Sequence, residues 1–121
     1  MTDQAKAPAR VNRFAALNFQ PRFAYPEMAD VVEVAGLADR SELSGGFARF
    51  RDADIPWQVE YDELILVISG EFAVETPAGL LEAAPMDTIW LPAGTPVRYR
   101  SKDALVFYSL QPASWARGLA A

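Results

Sequence analysis

The sequence predicts an all-β domain, a sandwich or barrel of short strands preceded by an extended arm. Two observations carry this. From Ser44 onward, runs rich in β-branched and aromatic residues recur at intervals of roughly 8–12 residues, and Gly and Pro punctuate them. Helical periodicity is nearly absent: only residues 112–119 suggest a short helix, on the single apolar i, i+4 pair Trp115 and Leu119. A chain of 121 residues is the right size for one domain with a real core.

The elements follow in order. Residues 1–30 carry Pro8, Pro21 and Pro26 among Phe14, Leu17, Phe19, Phe23 and Tyr25. Proline fixes φ and removes a donor, so this is an arm rather than a helix. Its aromatics are expected to pin it to the body or to a partner subunit, with residues 1–10 loose. A short strand is expected over residues 30–33. Strands follow at residues 47–51, 57–69, 71–76, 80–84, 88–91, 96–100 and 105–110, with Pro77-Ala78-Gly79 as a turn. The chain thus divides into residues 1–43, arm and first short strand, and residues 44–121, barrel core and C-terminal tail, one domain in total.

Composition narrows the chemistry. Lys and Arg number 11 against 16 Asp and Glu, a formal net charge of −5. Phosphate backbones and anionic membranes need surplus cations, so neither nucleic acid nor a membrane is an expected partner. No run of about 18 apolar residues exists, and residues 1–6 have no apolar leader core, so a cytoplasmic protein is expected. There is no cysteine and no histidine. Disulfides, thiol nucleophiles and iron–sulfur clusters are excluded, and so are the commonest metal ligand and the commonest general base.

Two segments carry a motif. In the first, residues 57–71, Glu63 precedes Gly70 by seven positions. In the second, residues 86–97, Asp87 is followed by Pro92-Ala93-Gly94. The stretch between them, residues 71–85, has the length of a strand hairpin. Together they resemble the two motifs of the cupins, with Met86 where the second motif has glycine. The resemblance covers roughly residues 44–112 and implies a cupin-type jelly-roll β-barrel with an extended N-terminal arm. Metal-binding cupins carry histidines where this chain has Trp57, Val59 and Val97; only Glu63 survives. One carboxylate among Trp and Val cannot supply three or four ligands, so no metal and no cofactor is expected. The pattern Trp57, Tyr61-Asp62-Glu63, Ile89-Trp90-Leu91-Pro92, and Phe107-Tyr108 through Gln111-Pro112-Ala113 to Trp115 is similar to the ethanolamine-utilisation (EutQ-like) cupins, which also lack those histidines. That resemblance implies a link to ethanolamine catabolism and microcompartments, with acetate kinase activity attributed to the family. Members usually carry a longer N-terminal region, and this chain has no Gly-x-x-x-x-Gly-Lys-Ser/Thr phosphate loop.

Period-2 alternation puts Trp57, Val59, Tyr61, Glu63, Ile65 and Val67 on one face, with Val59 and Val67 marking it as the core. Glu63 is therefore the candidate acid or base, partly desolvated, with Tyr61 beside it; alternatively it is a buried acid satisfied by its neighbours. Trp57 and Tyr99 are candidate ligand contacts or core aromatics. Arg49 and Arg51 are candidates for pairing with Glu63 and an anionic ligand if their face turns inward; the alternation leaves that open. Asp62 and Glu60 read as surface charges and Asp87 as a turn stabiliser. Leu64, Leu66 and Ile68 form an apolar outer face that needs a cover, the arm or a second copy, so a homodimer is expected. Two function classes remain open. One is a metal-independent small-molecule site in the barrel, catalytic or not, in ethanolamine, amine or aldehyde catabolism. The other is a non-catalytic accessory or interaction protein of such a pathway.

Overall fold

The alternating strands assemble into one antiparallel sheet that curls on itself. The structure, a computed structural model, describes residues 5–120. Among these residues there are eight strands: β1 Gln20–Pro21, β2 Ala29–Ala35, β3 Ser44–Gln58, β4 Asp62–Gly70, β5 Phe72–Thr76, β6 Gly79–Ala83, β7 Thr88–Leu91 and β8 Pro96–Gln111. The strand order is β1-β2-β3-β8-β4-β7, and the β5–β6 hairpin attaches through β5 to β8. Short 3₁₀ turns occupy Phe14–Ala16 and Leu37–Asp39, and a longer 3₁₀ segment, Ala113–Ala120, forms where the sequence suggested a helix.

β3 and β8 hold the barrel together. They pair from Ser44↔Leu110 to Gln58↔Pro96. The far half of β8 also pairs with β4, and its near half with β5, so one strand belongs to both walls. This is why the two strands expected at residues 96–100 and 105–110 are a single element. The polar run between them, Ser101-Lys102-Asp103, is carried through by pairing with β3.

The strand expected over residues 57–69 is two strands, by contrast. Val59 leaves β3 to exchange backbone hydrogen bonds with the second-motif turn: its N–H donates to Thr95 O, and its C=O accepts from Gly94 N. The chain restarts at Asp62, whose Oδ1 accepts from Ala93 N at 2.8 Å. Asp62 is thus tied to that turn rather than being a free surface charge. Glu60 is exposed.

The break does not change parity. Val59, Tyr61, Glu63, Ile65 and Val67 are all buried. Leu64 is exposed, and Leu66 and Ile68 are half-buried on the outer face. At the end of β4 the backbone turns at Gly70, φ +79°, where a Cβ would collide with the Asp103 carbonyl.

The arm is better anchored than its composition suggested. Ala7 N donates to Asp39 O, and Arg10 forms a bidentate pair with Asp39. Residues 5–10 are therefore tied to the Leu37–Asp39 turn, not loose; residues 1–4 lie outside the described residues. Farther along, Phe14 packs edge-on against Phe47 at 5.1 Å, and Phe47 against Phe107 at 5.1 Å. The arm covers one end of the outer face. The Leu64↔Trp90 pair at the other end stays open, the two side chains 50% and 55% exposed.

Candidate functional site

Four parts of the chain converge on one side of the barrel interior. β4 delivers Glu63, 6% exposed, which is paired in the sheet with Leu110 and Leu91. β8 delivers Tyr99 and Tyr108 on its inner face. The β3–β4 connection places Tyr61. The β1–β2 hairpin brings Arg22, 8% exposed, after its backbone N–H donates to Ala29 O. These groups line a cavity of about 270 Å³, with Glu33 at its rim and apolar side chains including Phe50, Phe72 and Trp115 in its wall.

Two hydrogen bonds organise it. The Tyr99 hydroxyl donates to Glu63 Oε1 at 2.9 Å, and the Trp57 indole N–H donates to the Tyr61 hydroxyl at 3.0 Å. Tyr61 in turn packs on Trp115, ring centroids 4.7 Å apart. Phe72 stacks on Tyr99 from below at 5.9 Å. Close approach also sets Tyr108: its hydroxyl lies against Gly46, where any Cβ would crowd it and the Val32 carbonyl. The Arg22 guanidinium sits over the rings of Phe23 and Trp57, 4.7 and 4.8 Å from their centroids.

Burial decides the electrostatics. Loss of hydration raises the Glu63 carboxyl to about 7, against the opposing pull of the Tyr99 hydrogen bond and the Arg22 charge. The same desolvation, helped by the nearby Glu63 charge, pushes the Tyr61 and Tyr99 hydroxyls well above their ordinary range. Tyr108 is pushed up to about 12 by burial, with Glu33 and Glu63 adding to it. The tyrosines therefore act as hydrogen-bond donors, while Glu63 can give or take a proton near neutral pH. Burial lowers Arg22 from its ordinary value while Tyr99, Tyr61 and Glu63 hold it up; it remains a cation.

The site does not fit the metal that the fold family implies. Two of the positions where metal-binding relatives place histidine, Val59 and Val97, are buried aliphatic residues, and the third, Trp57, spends its N–H on Tyr61. Among the described residues no cluster of three or more His, Cys, Asp or Glu could hold an ion.

Of the residues singled out from sequence, Glu63, Tyr61, Trp57 and Tyr99 come together. Arg49 and Arg51 do not. Both point out of the barrel, because Ala48 and Phe50 take the inner face of β3. Arg51 pairs with Asp30 at 2.8 Å, and Arg49 lies over Phe19 at 4.7 Å. Asp87 closes its turn by accepting from Ala84 N at 2.9 Å. The cation of the site is Arg22, which sequence reasoning missed along with Tyr108, Glu33 and Trp115. For Arg22 the available signal was a charged residue between Pro21 and Phe23 in an arm otherwise rich in aromatics; Tyr108 and Trp115 stood in the segment that carries the family resemblance without being read as site residues.

Comparison with known proteins extends the picture. The family described as Ethanolamine utilisation protein EutQ matches residues 17–117. Acetate kinase EutQ of Escherichia coli K12 is 27% identical over 93 residues, covering 76% of this chain and 40% of that protein. The chain thus spans about 40% of the length of the curated relatives it matches. A crystal structure of an ethanolamine utilization protein Q from Salmonella typhimurium LT2 superposes with a TM-score of 0.79 at 24% identity, covering 85% of each chain. An RmlC-like cupin from Shewanella frigidimarina NCIMB 400 superposes with a TM-score of 0.71 at 10% identity, covering 87% of this chain and 92% of that one. The expected all-β cupin barrel is the fold observed.

Proposed function

The chain belongs to the ethanolamine utilisation protein EutQ family, and from that premise we propose that it is a metal-independent cupin domain with a small-molecule site inside the barrel, serving ethanolamine, amine or aldehyde catabolism in the cytoplasm. The observation that carries this reading is the Glu63–Tyr99 pair, enclosed in a cavity large enough for a ligand. A carboxyl that titrates near 7 beside a hydroxyl donor is the equipment of an acid–base or ligand-orienting site. In this reading Glu63 exchanges the proton, Tyr99 and Tyr61 orient the ligand, and Trp57 stands behind them, its indole N–H fixing the Tyr61 hydroxyl.

The test is amide NMR of the labelled protein titrated with small carboxylates, amines and aldehydes. Shifts should cluster around Tyr61, Glu63 and Tyr99 and vanish in Glu63→Gln with the fold retained. Shifts confined to the outer surface would reject the barrel site. Elemental analysis of protein purified without a chelating tag should find no stoichiometric transition metal.

A specific observation favours an interaction role as well. Leu64 and Trp90 stand exposed side by side on the outer face, continuous with half-buried Leu66 and Phe107. In the proposed reading a second copy of the chain covers this patch, forming a homodimer. Light scattering should give twice the 13.3 kDa chain mass. A monomer at micromolar concentration would reject it.

A further inference from the structure

Arg22 is the least explained group in the molecule. Four ion pairs form among the described residues, joining Arg10 to Asp39, Arg51 to Asp30, Arg98 to Asp54 and Arg100 to Glu75. All four arginines are at least 39% exposed. Arg22 is the deeply buried one, and among the described residues it has no carboxylate at salt-bridge distance. Its one side-chain hydrogen bond there runs from Nη1 to the Ala24 carbonyl at 2.9 Å. A guanidinium has five N–H donors in a planar fork, so most of them have no partner within the described chain, and the nitrogens that carry them keep some access to the open space of the cavity. Burying a cation without a counter-ion is costly, and two aromatic faces offset only part of it.

We propose that Arg22 is the anchor for the charged head of the ligand, and that the cavity takes a small organic anion, a carboxylate or a phosphate monoester, whose body lies against the Tyr61, Trp115 and Phe72 rings. This rests on the barrel-site reading and names its ligand class. Three observations support it. Arg22 lines the cavity and its fork matches an oxyanion bidentately. The aromatic faces of Phe23 and Trp57, which could otherwise hold an ammonium, already carry the guanidinium, so a cationic ligand would meet like charge. Glu63, being protonated over half the time at pH below about 7, can face an anion without adding a second negative charge. The cavity volume equals about nine water molecules, room for a ligand of a few heavy atoms. The arm is then part of the site, because Arg22 reaches the cavity only through the β1–β2 hairpin.

The experiment titrates butyrate, butyramide and butylamine, near-isosteric probes of negative, neutral and positive charge, into labelled wild type and Arg22→Gln at pH 6. Amide shifts and the fluorescence of Trp57 and Trp115 report binding. Butyrate should bind tightest to the wild type and lose at least tenfold in Arg22→Gln, while butyramide changes less than twofold. Ethyl phosphate separates the two head groups: whichever anion binds tighter with the same dependence on Arg22 identifies the head. Arg22→Lys keeps the charge without the fork and should fall between; it serves in place of Arg22→Gln if that variant does not fold. Butylamine binding tighter than butyrate, or butyrate binding unchanged by either Arg22 variant, overturns the anion assignment and leaves the cavity as a site. No probe moving any cavity resonance overturns the barrel site itself, and this assignment with it.

Discussion

Among the described residues, Phe72 lines a pair of concavities on the barrel. The one above it is the cavity of about 270 Å³ around Glu63. The other is a wider depression of about 640 Å³ between Asp52, Glu71, Glu82 and Asp87 on one hand and Arg100 and Lys102 on the other. The depression has more volume and more charge, yet its charged groups stand in water. Arg100 pairs with Glu75 at 2.9 Å with both side chains about half exposed. Exposed pairs of this kind contribute little, because solvent and salt screen them. In the cavity the charged groups are fewer, but Arg22 and Glu63 are taken out of water, and each must find a partner or change its protonation. Enclosure, not the number of ionisable side chains, makes the chemistry available there.

The largest effect should come from the residue between the two. Phe72 is 2% exposed and touches Phe50 and Tyr99. Phe72→Ala should cost about 3–5 kcal/mol in urea unfolding, by lost burial and the cavity left behind. A cost under about 1 kcal/mol would mean that the concavities are not separated by packing as described.

The second effect is a pH dependence that only the enclosed site should show. Glu63 titrates near 7 in the folded chain and near its ordinary 4.5 when unfolded. Between those values the folded chain holds a proton that the unfolded chain has released. Stability from this group is therefore full below about pH 4.5 and is lost as pH rises through 7. The total change is about 3 kcal/mol, at about 1.4 kcal/mol per pH unit. The groups facing Glu63 are Tyr99, Tyr61, Tyr108 and Arg22, which stay donors or cationic over this range. Chemical denaturation at pH 5 and pH 8 should show the loss, and Glu63→Gln should remove most of it, the remainder belonging to Glu33, whose carboxyl burial also raises. An equal slope in both proteins would locate the titrating group elsewhere.

A smaller effect belongs to the turn beside the depression. Met86 sits at φ +75°, in the left-handed region, with its side chain 71% exposed. An L-residue there is strained, and Met86→Gly should raise stability by about 0.5–1 kcal/mol despite the added chain entropy. A drop in thermal midpoint would show that the Met86 side chain holds the turn. The smallest effect closes the comparison: Arg100→Ala should change stability by less than about 1 kcal/mol, since its partner remains hydrated.

The sequence alone determined the parity of the barrel. Period-2 alternation from Val59 to Val67 assigned Glu63 and Tyr61 inward and Leu64 outward, and this survived even though the expected single strand breaks at residues 59–61. It survived because burial, not strand continuity, selects which side chains turn in. The motifs likewise carried the resemblance to the family, and the composition, which has no histidine, excluded the histidine ligand set. What only the tertiary structure decided was which distant elements meet. The face of Arg49 and Arg51 depended on whether Phe47 or Phe50 took the core, and an apolar residue on each face left the alternation silent until the arm laid Phe14 and Phe19 over the outer one. The site's cation arrives from a short arm hairpin whose path no local pattern encodes. Arg22 reads as an ordinary polar residue in an irregular segment, and becomes a buried charge only when β1 and β2 fold back along β3 and carry it over Trp57.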